Sequence, residues 1–412
     1  MNQHSQPRPE GSAPGSTQGN VSSRHRCAQT GLWLSLEALK PAAEVAQQWR
    51  ELGRRALEPN LFYEADFAGA AARPFGKGVR VLMMHTQDGR LVLVWPFRIE
   101  RARWGFPLGV MVGWRHPFAS MGVPLVDAEF AERAVRAMLR TGGTVPGMPP
   151  RALFQQVAAE GCFAQLVKSV LRQEGRRSAT LDGFERARWQ RGMKDDPMDA
   201  LSAGSRSKLR QELRRLEKLG RATLETAQSA ETVGPALDDY FMLEATGWKE
   251  RAGTAITQSE FEMSFLREAC AAYAREGRIR IDSLRIGKET LASSITFLTG
   301  THAWYTKISY NEAYGKNSPG SQLVLKVTED FRQGNGVATA DSCAPPYHPL
   351  MRRFWPLRYE VCNLFIEAKN GDPFFSLATR LEKARPVVGD LVRRVRRGVK
   401  RLQAKQGANH VG

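Results

Sequence analysis

Apolar and polar positions divide the chain into a first part with short, mixed elements and a second part with regular ones. In the first part, residues 34–56 carry a helical pattern. The stretch "VRVLMMHTQDGRLVLVWPF" predicts two strands joined by an Asp88-Gly89 turn. A helix is expected from Arg151, after the break "TGGTVPGMPP". We therefore expect a mixed α and β domain over residues 31–190.

The second part predicts a complete alternation of helices and strands. "RIRIDSLRIGKETLASSITFLTGTHAWYTKISY" holds three strands, and their turns are so short that the strands must run antiparallel. A strand, "RATLETA", precedes them and another, Val337–Asp341, follows them. The predicted helices are Ser207–Leu219 (ending at Gly220), Ala236–Trp248, Ser259–Glu276 and Gln322–Arg332. The expected order is strand, two helices, three meandering strands, helix and strand.

Composition is that of a soluble globular protein. The 412 residues favour two domains, and 42% hydrophobic with 25% charged residues suits packed cores. No apolar run approaches the ~20 residues that cross a bilayer. The polar lead lacks the apolar region of a secretory signal and is expected to be disordered over residues 1–30. Five widely spaced cysteines include no metal-type pair, so we expect reduced thiols, no metal and a cytoplasmic location.

The net charge of +18 is concentrated in two segments. Residues 383–405 hold nine Lys or Arg and one Asp, and "SRSKLRQELRRLEKLGR" holds seven basic and two acidic residues. Such surfaces suit phosphate-bearing cofactors, nucleic acid or anionic lipid. A solvated helix face is the alternative for either run.

Three stretches carry a resemblance to a known family: "GWKERAGTAI", "KISYNEAYGKNSPG" and "ADSCAPPYHPLMRRFW". They resemble the CelD-like branch of GNAT-type acetyltransferases, which is associated with cellulose and other envelope polysaccharides. The resemblance implies an α/β mixed-sheet fold with two tandem GNAT-like domains, as in Fem-type aminoacyl transferases. The C-terminal domain, residues 195–372, would be catalytic. The resemblance also implies acetyl-CoA or another acyl-CoA as donor and a glycan or amine as acceptor.

The turn before the helix at residue 322 is the predicted donor site. Pro319 suits a first helical turn, and Gly320 allows a phosphate to approach backbone N–H groups closely. The residues expected to bind coenzyme A are Ser318, Pro319, Gly320, Ser321, Gln322 and Leu323. The usual GNAT signature of Arg or Gln with Gly-x-Gly is absent here, so "NSPGSQ" must replace it. Gly315 and Gly320 have the spacing of a P-loop, but Ser321 stands where that motif requires Lys.

Acyl transfer requires a base for the acceptor and a donor for the leaving thiolate. The candidates are Asp341, Lys307, Tyr305, Tyr347 and His348, because GNAT strands splay around the acyl group at this position. A loop-capping role for Asp341 and a surface role for Lys307 are the alternatives. Cys343 with His348 could form a nucleophilic pair, but direct transfer needs no covalent intermediate.

The predicted acceptor side follows the helix that borders the acceptor groove in this fold. The expected residues are Trp248, Lys249, Gly253, Thr254 and Tyr310. A Trp packed in the core beside a solvated Lys is the alternative for the first two.

The basic tail, residues 373–412, carries an apolar stripe at helical spacing. Val387, Val388, Leu391, Val392, Val395, Val399 and Leu402 form the stripe, and six Arg or Lys residues surround it. Such a helix can contact an anionic membrane at its inner surface, or pack on the protein itself.

The sequence thus predicts an acyl-CoA-dependent acyltransferase, an N-acetyltransferase in the first place, acting on a sugar or envelope precursor. No sequence-specific nucleic-acid binding is expected. One alternative is a Fem-like transferase that takes an aminoacyl group from tRNA bound by the basic helix at 207–221. The other is an inactive GNAT-like scaffold in a polysaccharide synthesis complex.

Overall fold

The computed structural model describes residues 25–142, 145–192, 197–199, 201–251, 253, 255–346 and 348–386. The predicted apolar stripe, which begins at Val387, lies outside these residues. In the part that is described, no helix has both the length and the apolar character needed to cross a membrane.

The strands of the described residues form one large mixed sheet. They are β1 (His25–Arg26), β2 (Trp33–Glu37), β3 (Arg80–His85), β4 (Leu91–Glu100), β5 (Val110–Gly113), β6 (Leu125–Val126), β7 (Arg151–Ala158), β8 (Ser178–Gln190), β9 (Ala222–Ala227), β10 (Ile279–Ile286), β11 (Glu289–Thr299), β12 (His302–Tyr310), β13 (Thr339–Asp341) and β14 (Leu357–Glu367). The order across the sheet is β1-β2-β3-β4-β5-β7-β14-β8-β13-β12-β11-β10-β9, with β6 on β4.

In each half of the sheet, helices cover both faces. They are α1 (Ala43–Arg54), α2 (Ala65–Phe75), α3 (Ala131–Leu139), α4 (Cys162–Gln173), α5 (Ala203–Glu217), α6 (Ala230–Ala245), α7 (Trp248–Arg251), α8 (Glu260–Ala274), α9 (Pro319–Arg332), α10 (Pro349–Phe354) and α11 (residues 375–386). Side chains fix several of their starts. Ser202 caps α5, Ser259 caps α8, and Ser229 with Thr232 forms a capping box at α6.

The chain repeats one order of elements twice. The first half runs β2, α1, α2, β3, β4, β5, α3, β7, α4, β8, and the second runs β9, α6, α8, β10, β11, β12, α9, β13, α10, β14. Each half contains one parallel pair at the same place, β5 with β7 and β12 with β13. The expectation of a mixed α/β sheet built from two related domains is confirmed.

The two halves exchange their last strands. β14, from the end of the second half, lies between β7 and β8 and pairs with both. β8, from the end of the first half, pairs with β13 of the second. Each half therefore completes its sheet with hydrogen bonds supplied by the other.

Three sequence predictions are wrong in detail. Residues 34–37 and 151–158 were expected in helices but belong to strands β2 and β7. Both pair with strands distant in sequence, and such pairing overrides a local helical pattern. The disordered lead was expected to reach residue 30, but His25 and Arg26 already pair with β2. The β3–β4 hairpin and the β10–β11–β12 meander are confirmed.

A buried polar network joins the exchanged strands next to β13. Arg186 on β8 lies 3.5 Å from the carboxylate of Asp341 on β13, and both side chains are almost fully buried. Tyr359 on β14 donates a hydrogen bond to the same carboxylate. Burial lowers the pKa of Arg186, but the neighbouring Asp341 and Tyr359 outweigh burial and leave it raised. The guanidinium therefore stays charged and neutralises Asp341.

We predict that Arg186→Met destabilises the fold strongly, because it leaves Asp341 buried without its counter-charge. The expected loss in the free energy of unfolding is about 3–5 kcal/mol. Arg332→Met removes an exposed pair with Glu329 and should cost about 1 kcal/mol or less. Urea unfolding of both variants and of Arg186→Met/Asp341→Asn tests this. A double variant no more stable than Arg186→Met would contradict it.

Candidate active site

A cavity opens where β12 and β13 separate. The two strands pair only over His302–Trp304 and Thr339–Asp341. Beyond Trp304 a register shift opposite Ile295 and Thr296 bends β12, while the chain after Asp341 leaves the sheet. The splay expected from the sequence is therefore present.

The resulting cavity has a volume of about 580 Å³. Its walls come from residues 305–310 of β12, residues 342–345 after β13, the start of α9, and residues 348–351 at α10. Glu244 and Gly247, at the end of α6, complete it. A volume of this size suits a small-molecule ligand.

The positive end of α9 faces this cavity without a side-chain cap. Ser318 adopts a left-handed conformation (φ 51°) and makes no capping hydrogen bond with its side chain. Ser321 and Gln322 donate their N–H groups to the Ser318 carbonyl, but the Gly320 N–H makes no hydrogen bond to the described residues. Gly320 lines the cavity, and a Cβ there would contact Tyr310 and Ile308 at 3.6 and 3.8 Å, so the absence of a side chain leaves room beside the backbone for a ligand.

The predicted donor residues divide into two groups. Ser318, Pro319, Gly320 and Ser321 line the cavity. Gln322 instead donates to the Leu209 carbonyl of α5 at 2.9 Å, and Leu323 lies fully buried in the core. The backbone turn therefore faces the cavity, whereas the two side chains after it hold α9 in place.

Four of the predicted catalytic and acceptor residues meet in the cavity: Tyr305, Lys307, Tyr310 and His348. The Tyr305 hydroxyl is buried and, although it lies beside Ser294, has no hydrogen bond of normal geometry within the described residues. Burial raises the pKa of Tyr305, so the hydroxyl stays protonated and can donate. The Lys307 ammonium lies 4.1 Å from the ring centre of Phe118, which the first half supplies.

Asp341 does not line the cavity, which argues against the predicted catalytic role. Its carboxylate accepts hydrogen bonds from Tyr359 and from the Cys343 N–H, and it lies 3.5 Å from Arg186. A carboxylate held by these three groups is a structural anchor, close to the capping role that the sequence left open.

Cys343 lines the cavity but is a poor nucleophile. Burial raises the pKa of its thiol well above the ordinary value, and the negative charge of Asp341 raises it further. Its left-handed backbone (φ 51°) is held by the Asp341 carboxylate at its N–H and by the Ser120 hydroxyl at its carbonyl. This geometry gives no support to a Cys343–His348 pair.

The predicted acceptor segment is only partly described. Trp248 and Lys249 are described by their backbone, in α7, while Tyr347 and Thr254 lie outside the described residues. Gly253 forms a turn with φ 68° and does not line the cavity.

Glu244 is the cavity residue that the sequence analysis missed. It is 1% exposed, accepts a hydrogen bond from the Tyr240 hydroxyl at 2.5 Å, and accepts another from the Ile256 N–H at 2.9 Å. Burial, followed by the Glu244 charge, raises the pKa of Tyr240, so this phenol remains a donor. The sequence gives no signal for this residue, because a Glu near the end of a helix is ordinary. Only the structure shows that it is buried on the face of α6 towards β12.

The equivalent helix of the first half, α3, follows a turn that holds a buried anion. α3 precedes β7 as α9 precedes β13, and Asp127 lies three residues before Phe130, the N-cap of α3. Its buried carboxylate pairs with Arg55 at 2.6 Å and Arg90 at 2.8 Å and accepts the Glu129 N–H. This carboxylate therefore fastens the turn before α3 and is not a cap of the helix itself.

Comparison with known proteins agrees with the position of this cavity. Residues 203–348 match the family model described as acetyltransferase (GNAT) domain. The match concerns this segment, which is about a third of the chain. The match covers α5, the β10–β12 meander, α9 and the cavity residues up to His348. It does not confirm the resemblance to the CelD-like branch. No curated protein matches the sequence at a significant level.

Solved structures resemble the chain over both halves. The C-terminal domain (DUF2156) of a putative lysylphosphatidylglycerol synthetase from Agrobacterium fabrum is 15% identical, with a TM-score of 0.50 over 83% of this chain and 96% of that one. FemX is 11% identical, with a TM-score of 0.54 over 81% of this chain and 98% of that one. At these identities the likeness shows a shared fold, which extends beyond the GNAT domain into the first half.

Proposed function

We propose that the chain transfers an acyl group from a coenzyme A thioester to an amine acceptor in the cavity of the GNAT domain. The observation that carries this proposal is the uncapped start of α9, with an unbonded Gly320 N–H, opening onto the 580 Å³ cavity between the separated strands. The thioester supplies the activated acyl group. Tyr305 also lines this cavity, and its buried hydroxyl makes no hydrogen bond of normal geometry to the described residues, which leaves it able to donate to a ligand.

The start of α9 would hold the pyrophosphate of the donor. Its helix dipole favours an anion, and the Ser318 and Ser321 side chains line the cavity beside the Gly320 N–H. One donor site per chain is proposed, in the second half, where the cavity meets the start of α9.

Glu244 is the proposed general base. The Tyr240 hydroxyl and the Ile256 N–H orient its two oxygens at the cavity wall. Tyr305 is the proposed hydrogen-bond donor to the sulfur or carbonyl oxygen as negative charge develops there. Its raised pKa suits donation without proton loss.

A buried carboxylate also favours an amine over a neutral hydroxyl as acceptor, since it attracts the ammonium form before it takes the proton. A sugar or envelope precursor that carries an amine is the proposed acceptor class. Its support is the resemblance of residues 247–256, 307–320 and 340–355 to the CelD-like branch.

We predict that Gly320→Ala lowers the affinity for coenzyme A while the fold is retained. The new Cβ meets Tyr310 and Ile308 at ordinary contact distances, but it intrudes where the phosphate would approach. Loss of one charge-assisted hydrogen bond corresponds to about tenfold or more in the dissociation constant. Gly234→Ala, at an open position in α6, is the control and should bind normally. Calorimetric titration that finds equal affinity in Gly320→Ala and the parent would remove this site from the proposal.

We predict that Glu244→Gln lowers kcat by about 10²- to 10⁴-fold and leaves the KM for acetyl-CoA unchanged, because Gln keeps the shape but cannot accept a proton. Glu262→Gln is the matched control. Glu262 is half-buried, lies within electrostatic range of Glu244 and Lys307, and does not line the cavity. Thiol release from acetyl-CoA with amino-sugar acceptors measures both variants. Equal rates for Glu244→Gln and Glu262→Gln would show that the base lies elsewhere.

A further inference from the structure

We propose that a cationic rim formed by Lys208, Arg215 and Lys316 binds the 3′-phosphate of the donor coenzyme A. This inference rests on the proposed function. It assigns the basic helix α5 a role in recognising the donor, which neither the family match nor the cavity lining assigns to it.

Helix α5 is fastened alongside the start of α9. The Gln322 side chain donates to the Leu209 carbonyl at 2.9 Å, and the Asn317 side chain donates to the Glu212 carbonyl at 3.2 Å. Residue 322 in α9 thus lies next to residue 209 of α5, and residue 317, just before α9, lies next to residue 212. The two segments run in opposite directions along this contact. The next turn of α5 continues past the start of α9.

Helical spacing selects the cations that lie on this side. Residues 208, 212 and 215 are four and three apart and share one face of α5, next to the buried stripe of Leu209, Leu213 and Leu216. Arg210 and Arg214 lie on the outward face. Arg206 lies on the opposite flank and pairs with Asp199 at 3.7 Å.

Lys316 connects this face to the cavity. It stands between Gly315, which lines the cavity, and Asn317, which contacts α5. It belongs to the 3₁₀ segment Glu312–Asn317, which packs against α5.

The charges of the rim are available to a ligand. Arg215 and Lys316 are exposed and make no ion pair with any described residue. Lys208 lies 3.9 Å from Glu212, and its own side chain is 72% exposed. The Glu212 carboxylate is nearly fully buried, so it does not take up the exposed side of Lys208.

The chemistry of the donor fits this arrangement. With the pyrophosphate at the start of α9, the adenosine end extends out of the cavity mouth, and its 3′-phosphate carries close to two negative charges at neutral pH. The Arg guanidinium binds phosphate oxygens in pairs, and Lys adds a point charge. Arg215 supplies the guanidinium, and Lys208 and Lys316 supply the point charges, beside the proposed path of the adenosine end.

The test is calorimetric titration of the full chain at low salt with coenzyme A and with 3′-dephospho-coenzyme A. The parent should bind coenzyme A about tenfold more tightly than the dephospho form. Arg215→Gln/Lys316→Gln should lose that preference and bind dephospho-coenzyme A as the parent does. Arg210→Gln, which removes the same charge from the outward face of α5, should keep the preference. High salt should reduce the preference in the parent.

Equal binding of the two ligands by the parent overturns this inference and leaves the proposed function standing. A double variant that weakens both ligands equally overturns it as well. Binding of neither ligand by the parent removes the proposed function and this inference together. If unacylated tRNA binds in a way that depends on Arg215 and Lys316 while the two coenzyme forms bind alike, the rim serves RNA and the inference is wrong.

Discussion

The two halves of the sheet exchange their last strands, and this exchange positions the cavity. Strand β14 completes the first half and β8 completes the second, so neither sheet is whole without the other. The Arg186–Asp341 pair and Tyr359 lie at this crossing, directly below the point where β12 and β13 separate. Because the pairing holds the end of β13, it also fixes the direction in which Cys343 and the following residues leave the sheet.

The exchange also explains why the first half belongs to the site. Phe118 of the first half lies under the Lys307 ammonium, and the Ser120 hydroxyl holds the Cys343 carbonyl. Helix α2 packs on α8 through Phe67 and Phe265, whose ring centres are 5.3 Å apart. The first half thus supports the cavity of the second half. One fold is used twice, once as a support and once as the proposed catalytic domain.

The sequence predicted those elements whose structure is determined by neighbouring residues. The β10–β12 meander, the Asp88-Gly89 hairpin and the helix start at Pro319 depend on turn residues and alternation, and each was found from the sequence. Strands β2 and β7 were missed because their stability comes from partners far along the chain. The exchange could not be predicted for the same reason, since no local signal says which of two similar sheets a strand joins.

The same holds for the candidate site residues: those set by local sequence were predicted, and those that depend on distant contacts were not. The turn at Ser318–Ser321 was found because Pro and Gly have a positional meaning at a helix start. Asp341 was placed in the cavity from its position at a strand end, but its side chain is held by Arg186 and Tyr359. Glu244 was missed because its role depends on burial against β12, which only the packed structure shows.

The central claim is that one half of a duplicated fold binds an acyl donor at the start of α9. Hydrogen–deuterium exchange of the full chain with and without coenzyme A tests it directly. We expect added protection in peptides covering residues 305–324 and unchanged exchange in residues 127–139, the equivalent segment of the first half. Protection at α3, or no change at α9 under saturating coenzyme A, would contradict it.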